Sequence, residues 1–196
     1  MIRKIKTQEN VSKEQKRKKV WLGIGMVLLL VFSTLGYSFS SYLAGSDSSE
    51  NLESEIEYNG FDLEKEGFYW NVIINEQDFY LQFSPEEVEQ INSFGLDKSL
   101  SDYSNKPLYF VGGGAGVGVI SGNLNGHMTR SQEACLEGFN CTNERLPIKT
   151  CLDNVIIFNE SSNLDRVYSN ENCVFIEGDS LRGSEVFLYK ILGIIG

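Results

Sequence analysis

Histidine is almost absent from this sequence, and its scarcity limits the kinds of catalysis to consider. His127 is the only histidine among 196 residues, and it lies in a glycine-rich stretch. Nucleophilic triads usually need a histidine beside the nucleophile. The carboxylate pairs Glu86/Glu87 and Glu64/Glu66 have the positions of helix-start and turn residues, without a pocket to raise one pKa. We therefore predict no catalytic residue and no cofactor, and expect His127 to be exposed or hydrogen-bonded.

The spacings that metal and redox sites require are also missing. No two of the four cysteines form a Cys-x-x-Cys pair. Zinc sites and thioredoxin-like redox centres depend on that spacing, and a zinc site would draw further ligands from histidine. The sequence therefore predicts neither a metal site nor a redox centre. Structural disulfides are the favoured use of the cysteines: Cys135, Cys141, Cys151 and Cys173.

The glycine-rich segment from Gly112 to Met128 lacks the phosphate-binding fingerprints. It contains neither Gly-x-Gly-x-x-Gly nor Gly-Lys followed by Ser or Thr. Its glycines instead recur every four residues, which would place them on one face of a helix. These glycines are Gly114, Gly118, Gly122 and Gly126. Two interpretations of residues 114–136 stay open: a helix from Val117 to about Leu136 packed through this stripe, or a flexible loop.

A long charge-free run near the start predicts a membrane anchor. Residues 1–19 hold eight Lys and Arg against two Glu, and residues 20–39 follow without a charge. At about 1.5 Å per residue this run spans about 30 Å of helix, the thickness of a bilayer core. We predict a cytoplasmic basic tail over residues 1–19 and an uncleaved, single-pass signal-anchor helix over residues 20–43 in the cell membrane, with the C-terminal part extracytoplasmic.

Two other interpretations of the N-terminus stay open. Ser38-Phe39-Ser40 offers small residues at a spacing that suits a signal peptidase, so the apolar run is alternatively a cleaved signal peptide. A pilin-like subunit also combines a basic lead with a long apolar helix. The small residue expected between the two is missing here, because Lys19 directly precedes Val20.

The remainder of the chain is strongly acidic. The whole sequence has 17 Lys and Arg against 27 Asp and Glu, so removing the tail leaves nine positive and 25 negative charges. Such a surface repels phosphate backbones, and nucleic acid is not an expected partner. Residues 44–57 are polar, acidic and without periodicity, which predicts a linker. Residues 58–196 then form one extracytoplasmic domain.

Cysteines in an extracytoplasmic domain tend to form disulfides. Four cysteines allow three pairings. We favour Cys135–Cys141, which closes a small loop, and Cys151–Cys173, which joins two predicted strands. Asn140 and Asn159 each begin an Asn-x-Ser/Thr glycosylation acceptor sequence.

The sequence of the exported part predicts an α+β fold with a mainly antiparallel sheet and two or three packed helices. From Tyr58 onward, short β-rich runs alternate apolar and polar residues, as in a sheet with one buried face. Ser84 and Glu87 form a capping box before a helix from Pro85 to about Ser93. The apolar run Val155–Phe158 does not alternate, which indicates a strand covered on both faces. A last helix is capped by Asp179 or Ser180 and ends at Gly193.

Several short motifs resemble segments of a group of small archaeal single-pass membrane proteins. The motifs are YNGFDL, FSPEEVEQI, LPIKTCLDN, NCVFIEG and LYKILGI, between Tyr58 and the C-terminus. The group has an extracytoplasmic, cysteine-containing α/β domain and no known function, so the resemblance implies no catalytic or binding residue. Pro147 before Cys151 and Asn172 before Cys173 fit its pattern, which implies the Cys151–Cys173 disulfide. The glycine stripe departs from the alanine-rich helix that is usual there.

Two function classes remain. The first is a membrane-anchored extracytoplasmic module, bound to the bilayer through residues 20–43, that acts without catalysis as a binding or envelope-associated protein with a protein partner. The second is a membrane-tethered enzyme with an unrecognised carboxylate site. A cleft lined by carboxylates and tyrosines would favour the enzyme, and an uninterrupted apolar patch would favour a protein partner.

Overall fold

The computed structural model describes residues 55–141 and 143–196. The predicted basic tail, the membrane anchor and nearly all of the linker lie outside the described residues, and so do the signal-peptide and pilin alternatives. Within the described part, no helix is both long enough and apolar enough to cross a membrane. This part contains three α-helices and three sheets, which confirms the α+β class.

The first sheet is an antiparallel meander of four strands in chain order. The strands are β1 (Glu55–Tyr58), β2 (Phe61–Glu66), β3 (Tyr69–Ile74) and β4 (Gln77–Leu81). The apolar residues at alternate positions, Trp70 and Val72 of β3 and Phe79 and Leu81 of β4, are buried as the period-two pattern predicted, whereas Asn71 between the first two is buried as well. Asn59 and Gly60 join β1 to β2 with positive φ angles of 49° and 82°, a conformation that an Asn-Gly pair adopts at little cost.

The second sheet has six strands in the order β5-β11-β12-β10-β6-β7. They are β5 (Asn92–Phe94), β6 (Pro107–Val111), β7 (Arg130–Glu133), β10 (Val155–Asn159), β11 (Arg166–Asn170) and β12 (Cys173–Glu177). Two further strands, β8 (Cys135–Leu136) and β9 (Ile148–Lys149), form a separate parallel pair. In the six-stranded sheet only β11 and β12 pair antiparallel, and the other neighbours are parallel.

The predicted antiparallel arrangement therefore describes the first sheet, whereas the second sheet is mixed. Parallel neighbours need a crossover connection, and a helix between β6 and β7 supplies one. The non-alternating run Val155–Phe158 is β10, which is buried between two parallel neighbours as its pattern indicated.

The three helices are α1 (Pro85–Val88), α2 (Ala115–Asn123) and α3 (Ser180–Ile191). In the capping box, the Glu87 carboxylate accepts a hydrogen bond from the backbone N–H of Ser84 at 2.8 Å. Helix α1 is shorter than predicted because the chain enters β5 at Asn92. Asp179 caps α3, and Gly193 follows its end with φ 78°, both as predicted.

Residues 114–136 form a short helix followed by two strands, so neither interpretation of this segment was right. A Cβ added to Gly116 would lie 2.5 Å from the Ser180 carbonyl oxygen and 2.8 Å from the Phe158 ring. A Cβ added to Gly118 or Gly122 would meet nothing within 4 Å. The close approach of α2 to α3 therefore occurs at Gly116, whereas Gly118 and Gly122 of the predicted stripe face open space.

The main core joins the first sheet, the second sheet and α3. A smaller core on the opposite face of the second sheet contains Tyr109, Leu136, Val155, Ile157 and Cys173. Both disulfides that the sequence favoured are present beside this smaller core. Cys135 bonds to Cys141 with Cα atoms 5.9 Å apart, and Cys151 bonds to Cys173 with Cα atoms 4.9 Å apart.

Candidate binding surface

The single histidine packs against the core and is not surrounded by a catalytic group of residues. His127 is half-buried, and its ring stacks on Phe79 with the centroids 5.9 Å apart. Its Nε2 is buried and has no hydrogen-bond partner among the described residues. For this nitrogen, the expectation of an exposed or hydrogen-bonded histidine is therefore wrong. A ring held flat against Phe79 is placed for packing rather than for proton transfer.

Two side chains from the helices complete the free edge of β4. The Asn123 side-chain oxygen accepts from the backbone N–H of Tyr80 at 2.7 Å, and its Nδ2 donates to the Tyr80 carbonyl at 2.9 Å. Glu185 of α3 accepts from the backbone N–H groups of Gln82 and Phe83 at 2.7 and 2.9 Å. These bonds occupy backbone groups of Tyr80, Gln82 and Phe83, so a strand added at this end of β4 would have to displace Asn123 and Glu185.

The pKa of Glu185, beside this edge, is shifted far from its ordinary value. Its side chain is fully buried, and burial raises its pKa to about 7 even though the N–H groups of Gln82 and Phe83 lower it. Perturbed carboxylates often mark catalytic sites. Both Glu185 oxygens are instead bonded to the backbone, and the nearby Tyr189 hydroxyl donates to the Phe83 carbonyl at 2.7 Å. This arrangement holds β4 against α3.

The face of the first sheet that points away from the core is acidic. Six carboxylates project from it: Glu55, Glu57, Asp62, Glu64, Glu66 and Asp78. In the register of β1 and β2, Glu55 lies opposite Glu64 and Glu57 lies opposite Asp62, so like charges face each other. Such pairs destabilise a sheet. The one basic residue of these four strands, Lys65, points to the other face, with Nζ 5.1 Å from the Trp70 ring centroid.

Asn71 lies at the centre of these carboxylates and is only 6% exposed. Its Nδ2 donates to Asp78 at 3.2 Å and to Glu66 at 3.4 Å. Its Oδ1 is buried without a hydrogen-bond partner among the described residues. A buried oxygen left without a donor costs on the order of 1–3 kcal/mol. The surrounding carboxylate oxygens are acceptors, so none of them supplies the missing donor.

A pocket opens beside Asn71. It has a volume of about 340 Å³ and lies over β2 and β3, where Asp62, Glu64, Asn71 and Ile73 line it. The donor group of Asn71 is bonded to Glu66 and Asp78, and its oxygen is buried, so a ligand would reach this oxygen only after the side chains that cover it move aside. We call the six carboxylates together with Tyr69, Asn71, Ile73 and Tyr80 the acidic face.

A larger groove of about 640 Å³ separates β4 from α2 at the margin of the acidic face. Tyr69, Asp78 and Tyr80 line one side, and Gly118 and Gly122 line the other. The open glycine stripe is thus one side of this groove. A carboxylate pair of the glycosidase type would need two such groups, and Asp78 is the single carboxylate of this groove. The groove combines tyrosines and a carboxylate without the paired carboxylates that would favour an enzyme.

Several apolar side chains are exposed on or beside the acidic face. Ile73 is 65% exposed, and Tyr69 and Tyr80 are each 44% exposed. Phe68, in the turn before β3, is 89% exposed. These side chains stand among carboxylates and do not form the uninterrupted apolar patch that would by itself favour a protein partner.

The glycine loop between β6 and α2 borders a separate pocket of about 510 Å³. The Glu160 carboxylate lies directly against Gly114, at the start of α2. A carboxylate at this position repels a phosphate that would otherwise bind the helix N-terminus. The arrangement agrees with the absence of a phosphate-binding fingerprint in the sequence.

The residues singled out in the sequence lie mostly away from the acidic face. Asn140 and Asn159 are both exposed, Asn140 in the loop closed by the first disulfide and Asn159 at the end of β10. The four cysteines lie beside the smaller core. Of the carboxylates named from the sequence, Glu87 caps α1, whereas Glu64 and Glu66 belong to the acidic face.

Comparison of the chain with protein-family models, with curated proteins and with solved structures finds no match. The resemblance to small archaeal membrane proteins therefore stays a prediction. Functional inference has to start from the geometry of the acidic face.

Proposed function

We propose that this protein is a non-catalytic binding module of the cell envelope. Residues 20–43 hold it in the membrane with its N-terminus in the cytoplasm, and residues 58–196 are extracytoplasmic. Two observations support this location. Disulfides such as Cys135–Cys141 and Cys151–Cys173 persist mainly in oxidising compartments. The basic tail beside a charge-free run has the charge asymmetry of a cytoplasmic N-terminus.

The acidic face is the surface through which the module binds its ligand. The observation that carries this proposal is the unpaired Oδ1 of buried Asn71, set among carboxylates on an uncovered sheet face. A face that only kept the domain soluble would need neither a buried unpaired oxygen nor like charges directly opposite each other, because both lower stability. Exposed Ile73, Tyr69 and Tyr80 add apolar contact area at the same place.

Site-specific photo-crosslinking in native membranes tests the proposal. A photoreactive phenylalanine analogue replaces either Ile73, which is 65% exposed on the acidic face, or Leu164, which is 62% exposed before β11. The matched exposure makes Leu164 the control for random collisions. We expect discrete crosslinked products from position 73 and none of the same mass from position 164. Identical products from both positions, or none from position 73, would contradict the binding surface.

A protease added to intact cells tests the location separately. We expect the protease to degrade residues 58–196 and to leave the basic tail protected. Protection of the domain would place it inside the cell and would contradict the proposed location, which the disulfides otherwise support.

A further inference from the structure

We infer that the ligand of the acidic face is an extended, basic polypeptide segment with arginine at alternate positions. This inference rests on the proposed function, because it names the ligand of the same surface. The charge of the surface requires a cation: six carboxylates and no Lys or Arg project from this face of the four strands. Residues 1–19 of the chain are basic but are predicted on the opposite side of the membrane, so the segment belongs to a partner protein.

The spacing of the carboxylates favours an extended ligand over a metal ion. Asp62, Glu64 and Glu66 occupy alternate positions of β2. Alternate residues of a strand are separated by about 6.6–6.8 Å, and an extended peptide repeats its own side chains at the same distance. Within the described residues, no three Asp, Glu, His or Cys side chains converge on one point that could hold a metal ion. The negative charge is therefore spread along a line.

The pocket beside Asn71 favours arginine over lysine. A guanidinium group carries five N–H donors in one plane, so it can bond to the Asn71 oxygen and to the Glu64 or Asp62 carboxylate at the same time. A lysine ammonium is a compact charge and lacks this planar arrangement. The pocket of about 340 Å³ has room for one such head group. An inserted guanidinium that pairs with Asp62 or Glu64 and moves the covering side chains aside would supply the donor that the Asn71 oxygen lacks.

The tyrosines provide contacts for the rest of the segment. Tyr69 and Tyr80 are exposed at the groove margin, where guanidinium groups can stack on their rings. The charge of Asp78 raises the pKa of Tyr80, with smaller contributions from desolvation and from Glu66, so this ring lies next to the carboxylates of the face. Asn123 and Glu185 occupy backbone groups at this side of β4, and a ligand that contacts side chains across the face displaces neither of them.

Fluorescence anisotropy with defined peptides tests the inference. The full chain, in nanodiscs of zwitterionic lipid, is titrated with a labelled peptide in which arginine alternates with threonine. Two peptides of equal charge serve as comparisons: one with lysine replacing arginine, and one with the same arginines in a single block. We expect the alternating arginine peptide to bind about fivefold or more tightly than either, and its affinity to fall steeply with salt.

Variants of the chain identify the residues that bind the arginine peptide. The double substitution Asp62→Asn with Glu64→Gln is expected to weaken the alternating arginine peptide by about tenfold or more. The control, Glu137→Gln with Glu144→Gln, changes the net charge equally at two exposed carboxylates outside the four strands, and is expected to alter affinity by less than about twofold. Asn71→Leu removes the oxygen and is expected to abolish the preference for arginine over lysine.

Three results would overturn the inference. Equal binding of the block and alternating peptides, or equal losses in the two double variants, would show attraction to net charge alone. Calcium binding that displaces the peptide and is lost with Asp62→Asn and Glu64→Gln would identify a metal site instead. If crosslinking from position 73 succeeds while no arginine peptide binds, the basic ligand is wrong and the binding surface stands. Failure of both experiments would remove both proposals.

Discussion

The side-chain amide of Asn123 forms with the backbone of Tyr80 both hydrogen bonds that a neighbouring strand would form, at 2.7 and 2.9 Å. One residue at the end of α2 thereby pairs with the exposed edge of the four-stranded sheet at Tyr80. The same contact joins β4 to α2, the two elements that line the groove beside the acidic face.

Replacing Asn123 with alanine is expected to lower the free energy of unfolding by about 1–2 kcal/mol, because both Tyr80 backbone groups lose their protein partner. Asn125→Ala, two residues further along, serves as the control and is expected to change stability by less than about 0.5 kcal/mol. Urea denaturation followed by tryptophan fluorescence measures both. Equal stabilities of the two variants would contradict the role of Asn123.

Stability is expected to fall between about pH 4.5 and pH 7 because of Glu185. Burial raises the pKa of Glu185 to about 7, above the ordinary value of 4.5, so the folded protein keeps a proton that the unfolded chain has released. The stabilisation is complete below pH 4.5, is lost as the pH rises to about 7, and amounts to roughly 3 kcal/mol.

Unfolding free energies of the wild type and of Glu185→Gln, measured from pH 5 to pH 8, isolate this effect. The difference between the two proteins removes the contribution of the other carboxylates. We expect the wild type to lose stability relative to the variant as the pH rises. A constant difference across this range would show that Glu185 does not titrate as described.

Glycine to alanine substitutions in α2 are expected to lower stability at Gly116 and to raise it at Gly118 and Gly122. Gly116→Ala forces a methyl group to within 2.8 Å of the Phe158 ring and is expected to cost about 1–3 kcal/mol or more. Gly118→Ala and Gly122→Ala point into open space and are expected to stabilise the protein by up to about 1 kcal/mol each. Thermal melts of the three variants measure the difference. Destabilisation by Gly118→Ala would mean that the stripe is packed.

Loss of the Cys151–Cys173 disulfide is expected to cost more stability than loss of Cys135–Cys141. The first joins residues separated by 22 positions and the second joins residues separated by six. Loop-closure entropy gives the longer loop about 3 kcal/mol and the shorter loop less. Paired serine variants compared in urea measure both costs. Peptide mapping without reduction checks the pairing itself, and four free thiols in exported protein would contradict it.

Features set by neighbouring residues could be predicted from the sequence. The alternation in β3 and β4, the capping box at Ser84 and the helix cap at Asp179 depend on side chains a few positions apart. The parallel pairing of β6, β10 and β12 could not be predicted, because it joins strands far apart in the chain. The pattern of Val155–Phe158 showed that both faces are covered, but not the direction of the neighbouring strands.

The acidic face was accessible from the sequence only in part. The alternating carboxylates of β2 are visible in the sequence once the meander is assigned, whereas Glu55 and Glu57 of β1 were wrongly placed in the linker. The sequence alone does not distinguish Asn71 from Asn123. In the structure, the Asn123 side chain hydrogen-bonds to the edge of β4, whereas the Asn71 oxygen has no partner among the described residues. Spatial neighbours alone decide the difference. The raised pKa of Glu185 likewise follows from burial against β4, which no local pattern records.

Hydroxyl-radical footprinting of the full chain tests the central claim most directly. It compares oxidation in native membranes with oxidation of the purified protein in nanodiscs. We predict that Tyr69 and Tyr80, exposed on the acidic face, and Phe68, exposed in the turn beside it, are oxidised several times less in native membranes, where the ligand is present. Phe139 and Leu164, exposed outside the first sheet, are predicted to react equally in both samples. Unchanged oxidation of the three aromatic residues, or protection of Phe139 and Leu164 instead, would contradict a ligand at the acidic face.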